Sequence, residues 1–330
     1  MKDRRCDRLY GIGSLLLALG LTAIGSVAEA EPYPSRSIRI VVPTAVSTPP
    51  NIISRVIANE LSGSENWSVI VENRPGALMT LGGSDVLKQP ADGYSLFAMA
   101  LPVTAAPALM PNISFSLGQD FAPVVKASVS YNVLVVNPSV PAKSVSELVA
   151  LLKGQPDKLT FSSNGFGTPA HLIGEMFKLQ AGVRATHVPY QQMPQAIGDL
   201  VAGTNQYQFI AMLPVVDLIK TGKLRALAVT GPRRVPALPE VPTIIEAGFP
   251  GLEVEDWVGF SVKAGTPNEI VSRLNASINK VLTKPNVGEV LARLGAQPAG
   301  GTPSEYGELV RSQIALWGKV IKEADIKIQQ

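Results

Sequence analysis

From residue 37 onward, short runs rich in β-branched residues alternate with stretches whose apolar residues recur at helical spacing, and this alternation restricts the fold more than any other feature. SIRIVVP at 37–43 reads as a strand. Residues 51–61 read as a helix, with Ile52, Ile53, Val56, Ile57 and Leu61 on its apolar stripe, and SVIVE at 68–72 as the next strand. The rhythm continues with a helix over 81–88, strands over 94–99 and 132–136, a helix over 145–153 and a strand over 158–162. Further units are a helix over 171–180, a strand over 185–188, a helix over 193–202 and strands over 206–212 and 226–230. Three helices, over 268–282, 287–294 and 303–324, close the chain. Strands separated by helical crossovers pair in parallel, so the pattern predicts an α/β fold with mostly parallel sheets flanked by helices.

About 300 residues downstream of the N-terminal segment exceed what one ordinary core supports, which predicts two domains. An internal echo agrees. Residues 38–55 (IRIVVPTAVSTPPNIISR) and 159–175 (LTFSSNGFGTPAHLIGE) both read strand, polar loop, Thr-Pro, helix. FAMALP at 97–102 and FIAMLP at 209–214 are both later strands ending in a Leu-Pro turn. The extended segments near 130–132 and over 252–258 are the candidate crossings between the halves. Residues 31–131 and 255–330 then form one discontinuous lobe, and 132–254 the other.

The first thirty residues decide the compartment. Lys2, Arg4, Arg5 and Arg8 precede an apolar run over 11–27 and the small-x-small site Ala28-Glu29-Ala30, the pattern of a secretory signal cleaved after Ala30. The run falls short of the ~20 residues a membrane anchor needs. The one cysteine, Cys6, lies in that segment, so the mature chain has no thiol for a disulfide, a metal or covalent catalysis. The expected location is the periplasm.

Candidate ligand groups follow from the two Thr-Pro loops. In an open α/β sheet the ligand crevice lies beyond the carboxyl ends of the strands, where both loops fall. The first loop offers Thr44, Ala45, Ser47 and Thr48, with Thr48 as N-cap and Pro49 in the first helical position. The second offers Ser163, Asn164, Gly165, Gly167 and Thr168, with Pro169 playing the same part and His171 in the first helical turn. Two helix N-termini facing one cleft bind an anion through free amides, without any arginine.

Other function classes are excluded by what the chain lacks. The net charge of +3 falls to about +2 without the signal's four basic and three acidic residues, and the basic residues are scattered, so no nucleic-acid partner is expected. GFGTPA at 165–170 fits a dinucleotide pattern, but the strand after it, ATHVPY at 185–190, ends in no acid for a ribose. There is no G-x-S-x-G, P-loop or H-E-x-x-H, and His171 and His187 are the only histidines, too far apart for a local metal motif. No catalytic residue, metal or cofactor is therefore expected. Trp257 and Asp256 fall in the second crossing, where an aromatic packs at the hinge or forms part of the cleft wall, hinge packing being the expected role; Arg74 looks like an anion ligand, but a turn arginine paired with a local acid is the expected reading.

The remaining motifs carry a resemblance. PSRSIRIVVP at 34–43, VENRPGA at 71–77, ADGY at 91–94, DFAPV at 120–124, VVNPS at 135–139, Gly167-Thr168, HVPY at 187–190, GKLRALA at 222–228, PALPEVP at 236–242 and GTP at 265–267 together resemble the substrate-binding proteins of tripartite tricarboxylate transporters, the Bug-type periplasmic receptors. The resemblance implies a two-lobed Venus-flytrap fold, a membrane permease of one large and one small subunit, and a carboxylate held by backbone amides and waters of two loops, here 44–51 and 162–171. It also implies a third cleft segment, FIAML at 209–213, ending in Met212 and Leu213.

Three departures bear on the ligand. Ser47-Thr48-Pro49-Pro50-Asn51 stands where relatives commonly carry a glycine-rich loop ending in Asp, which removes two amide donors and a negative charge. The third segment is wholly apolar where an acid is common, and Tyr190-Gln191-Gln192 replaces Tyr-Lys-Gly. The expected ligand is thus an uncharged or monoanionic molecule with an apolar body, such as an aromatic or short aliphatic acid. The leading reading is a solute receptor that is not an enzyme. The alternative is a ligand sensor that presents its closed form to a two-component sensor kinase.

Overall fold

A computed structural model describes residues 33–110 and 112–327. The expected signal segment, its cleavage after Ala30 and Cys6 lie outside the described residues. In chain order the elements are β1 (Ile38–Val42), α1 (Pro49–Glu65), β2 (Val69–Asn73), α2 (Thr80–Leu87), β3 (Ser95–Ala100), α3 (Leu101–Leu109) and β4 (Phe121–Val136). There follow α4 (Val145–Gly154), β5 (Thr160–Ser163), α5 (Pro169–Ala181), β6 (Thr186–Pro189), α6 (Met193–Ala202), β7 (Tyr207–Ala211), α7 (Val216–Lys220) and β8 (Arg225–Val229). The last are β9 (Glu255–Lys263), α8 (Asn268–Leu282), α9 (Pro285–Arg293), β10 (Ala296–Gly300) and α10 (Pro303–Glu323).

The strands join in one path, β2-β1-β3-β9-β4-β7-β5-β6, with β8 and β10 also paired to β4. β1 is parallel to β2 and β3, and β5 is parallel to β6 and β7, as crossover helices require. Ile38, Ile40, Val41 and Val42 are buried, so β1 reads as a continuous apolar run rather than an alternating one. Among the described residues every antiparallel pair involves β4 or β9, which lie in the middle of the sheet.

β4 changes partners within its length. Up to Tyr131 it pairs with β9, ending at Tyr131 opposite Glu255. From Asn132, opposite Ala211, it pairs with β7, and from Val133 also with β8. Only its last five residues were legible as a strand. The first eleven include Pro123 and Lys126, and the register against β9 shifts at Pro123/Val125 and Lys126/Ser128, which breaks the two-residue alternation that identifies a strand.

Two other elements differ from expectation. The Leu-Pro turn after β3 is a nine-residue helix, α3, because Pro102 falls in the first turn where no intrahelical N–H is needed. β10 (AQPAG) has no apolar alternation, and only its pairing with β4 makes it a strand. Behind the sheet, α10 starts at a capping box in which Thr302 accepts from Glu305 N–H while the Glu305 carboxylate accepts from Thr302 N–H. It buries Trp317 and sets Tyr306 edge-on to Trp257 of β9, 5.6 Å between ring centroids.

Candidate ligand cavity

β1 and β5 run into their loops in the same way. Thr48 and Thr168 both have extended backbone, each followed by proline in the first helical position. Neither side chain caps a helical amide. Each hydroxyl instead donates to the carbonyl three residues back, Thr48 Oγ1 to Ala45 O at 2.8 Å and Thr168 Oγ1 to Gly165 O at 2.7 Å. The first loop is tied further by Thr44 Oγ1 to Thr48 Oγ1 at 2.6 Å and by Asn73 Nδ2 donating to Thr44 O. Ser47 takes a left-handed conformation, φ 67°. Pro49 and Pro50 have no N–H, so Asn51 supplies the first backbone amide of α1, whereas α5 presents the amides of Ala170 and His171.

Thr44, Asn164 and Thr168 meet on one cavity of about 420 Å³. Its first wall is Pro43, Pro49, Pro50 and Ile53, and its second adds Pro169, Met193 and Ala211. Along β4 and β9 it is bounded by Ser128, Ser130, Asp256, Trp257 and Val258. Asp256 is the one ionisable side chain among the described lining residues, and no Lys, Arg or His is among them.

A turn not anticipated from the sequence forms a third wall. After Gly76, the residues Ala77, Leu78 and Met79 all adopt positive φ (47°, 49° and 74°). Three successive non-glycine residues in this region cost about 1–2 kcal/mol each, so the surrounding packing has to hold them. Pro75-Gly76 at the carboxyl end of β2 is the sequence signal that marks this turn. Leu78 reaches the second loop. A Cβ on Gly167 would lie 2.8 Å from Leu78 Cδ2 and 3.1 Å from Leu109 Cδ1, and Gly167 itself has φ 72°. Gly167→Ala is therefore expected to weaken solute binding about tenfold, by straining the loop and pushing Leu78 out of its seat. Titration calorimetry checks it, and unchanged affinity refutes the contact's role.

The other expected site residues lie elsewhere. His171 is 2% exposed and sits behind the second loop, where Nδ1 accepts from Gly167 N–H at 3.1 Å and the ring stacks on His187, centroids 4.1 Å apart. Ser163 is fully buried, donates to Gly165 O and shares a 2.7 Å hydrogen bond with His187 Nε2. Burial pushes His171 down to about 4 and His187, with the neighbouring ring adding, down to about 3, so both are neutral at pH 7 and shape the loop rather than supply a cation. Ala45, Ser47, Thr48, Gly165 and Gly167 build the loops beside the cavity. Met212 and Leu213 line a neighbouring cavity of about 290 Å³ with Val129, Val216, Val235 and Gly295, and among the described residues only Ser130 and Ala296 border both. Arg74 is exposed and lies 3.5 Å from Glu72, the local pairing expected of it.

Two like-built loops at the carboxyl ends of parallel strands, enclosing one cavity with few polar groups, define a solute-binding protein. The chain belongs to the tripartite tricarboxylate transporter receptor family, whose model matches residues 53–326. It is 35% identical to a UPF0065 protein in the tcbD-tcbE intergenic region of Pseudomonas sp. (strain P51), over the whole of both chains. Among solved structures it is similar to a protein of R. palustris determined with adipate (33% identity, TM-score 0.76, 89% of this chain and 99% of that one). It is also similar to MatC of Rhodopseudomonas palustris with bound malate (30% identity, TM-score 0.73, 88% and 100%). These receptors are periplasmic binding proteins, not enzymes, and among the described residues no helix is long and apolar enough to cross a membrane.

Proposed function

We propose that the chain captures a small monocarboxylate with an apolar body in the 420 Å³ cavity and hands it to the permease of a tripartite-type transporter. The observation that carries the reading is the meeting of Thr44, Asn164 and Thr168 on that cavity, beside the N-terminal ends of α1 and α5. Thr44, Asn164, Thr168 and the amides of Asn51 and Ala170 hold the carboxylate, and the prolines, Ile53 and Met193 receive the hydrocarbon. Adipate and malate in similar receptors support the carboxylate class, and the proline-rich first loop supports a single charge over several.

In this reading residues 31–131 with 255–330 form one lobe and residues 132–254 the other. The change of partner between Tyr131 and Asn132 supports a hinge there. A signal cleaved after Ala30 exports the chain, and the permease reads the closed form.

A thermal-shift screen of the mature protein against acids, amino acids and sugars tests the proposal. A solute that binds only the folded state stabilises it by about 2.7 kcal/mol at a hundred times its Kd, a rise in Tm of about 5–10 °C. A response confined to monocarboxylates is the expected result. A larger response to citrate than to every monocarboxylate refutes the ligand class, and no response to any acid refutes the carboxylate reading.

A further inference from the structure

β4 and β9 bring a carboxylate into a cavity with no cation among its described lining residues. Directly paired residues of adjacent strands share a face, and the pairs Ser128/Val258, Ser130/Asp256 and Ser130/Ala296 all border the cavity. Trp257, one residue out of step, turns its ring the other way, against Tyr306. Asp256 therefore presents its side chain to the cavity. Every element packed around it contributes neutral groups there: Thr44 from the β1 loop, Pro49 and Pro50 from α1, the turn at 77–79, Thr168 and Pro169 from α5, Met193 from α6 and Leu294 after α9. On its own strand, the adjacent Glu255 is tied to Lys126 at 2.8 Å.

We propose that Asp256 is a specificity-determining residue of the cavity: its carboxylate accepts a hydrogen bond from a donor on the bound acid, so the receptor selects acids that carry a hydroxyl or ammonium group away from the carboxylate and rejects those ending in bare hydrocarbon. The inference rests on the carboxylate reading of the cavity. Two carboxylates facing each other in a mostly apolar cavity with no cation among its described lining residues repel, and a bare hydrocarbon end laid against Asp256 leaves a desolvated charge unpaired. A donor on the solute removes both penalties at once. Burial already pushes the Asp256 carboxyl up to about 6, with the backbone N–H of Trp257 pulling the other way, so at pH 7 to 8 its ionised form prevails and is under-solvated. The apolar body of the solute then spans the distance between the Thr-Pro loops and Asp256.

Matched acids test this on the mature chain by titration calorimetry at pH 7.5: benzoate against 4-hydroxybenzoate, and hexanoate against 6-hydroxyhexanoate and 6-aminohexanoate. In the wild type the donor-bearing member of each set is expected to bind at least tenfold more tightly. Asp256→Leu should reverse that order, with the bare acids gaining. Asp256→Asn keeps the shape and loses the charge, so it serves even where the leucine variant does not fold, and in it the preference for 6-aminohexanoate should collapse. Equal affinity within each set in the wild type, or preferences unaltered by the substitutions, overturns the role of Asp256 while the carboxylate reading stands. Failure of every acid to bind overturns both.

Discussion

Between pH 6 and pH 5 the folded protein is expected to lose about 1.4 kcal/mol of stability, and an Asp256→Asn variant about twice that. The cause is the stacked pair His171 and His187. Both are neutral in the folded state, with burial holding them at about 4 and about 3, against an ordinary value near 6.5 in the unfolded chain. Below pH 6.5 the unfolded state takes up two protons that the folded state refuses, so the stabilisation is complete above pH 6.5 and is lost as pH falls through the folded values. Asp256 acts in the opposite direction. Its folded value, about 6, lies above its ordinary one, so between pH 6 and pH 4 the folded state holds a proton that the unfolded state has released. The difference near pH 5 is one proton in favour of unfolding, and removing Asp256 restores it to two.

Urea unfolding at closely spaced pH values measures the slope directly. A flat profile between pH 6.5 and 5 is incompatible with a neutral buried pair. The geometry also places the first damage. His171 Nδ1 accepts from Gly167 N–H, so a proton on that nitrogen sets donor against donor at the second cavity loop. The resulting loss of solute affinity is expected only as pH approaches the folded His171 value of about 4, followed by fluorescence or calorimetry between pH 6 and 4.

The sequence specified strands and helices best where one periodicity ran without interruption. The helices at 193–202 and 268–282 have the bounds read from their apolar spacing. Reading failed where pairing rather than composition makes the element, as in β10 and the first eleven residues of β4. The same division holds in the cavity. Thr44, Asn164 and Thr168 were legible because Thr-Pro after a strand is a local signal with a local consequence. The turn at 77–79 was not, because Leu78 and Met79 are ordinary residues that carry no local signal for a left-handed backbone, and the side chain of Leu78 packs beside Gly167, distant in sequence. His171 is the complementary case. Its position in the first turn of α5 is local, but its direction is set by His187, sixteen residues away on β6. Asp256 stood in a segment read as a crossing, and its place in the cavity needed the register of β9 against β4.

Trp257→Ala is expected to destabilise the fold by about 3–5 kcal/mol, whereas Trp257→Phe should cost less than about 1.5 kcal/mol. The indole is 1% exposed on the strand that joins β3 to β4, and it meets the Tyr306 ring edge-on at 79°. Alanine removes that contact and leaves a void that the flanking strand cannot fill without breaking its pairs with Val258 and Asp256 on either side. Phenylalanine keeps an aromatic edge for Tyr306. It also deletes the Nε1–H, which is buried and has no hydrogen-bond partner among the described residues, so the polar cost of the substitution is small. Adding Tyr306→Phe, which keeps the ring and removes only the hydroxyl, should leave the cost of Trp257→Ala unchanged, because the ring and not the oxygen makes the contact. Tyr306→Leu should reduce that cost by about 0.5–1.5 kcal/mol, the coupling of an aromatic pair. Equal losses for the alanine and phenylalanine variants would show that the indole N–H, and not the ring packing, secures β9 against α10.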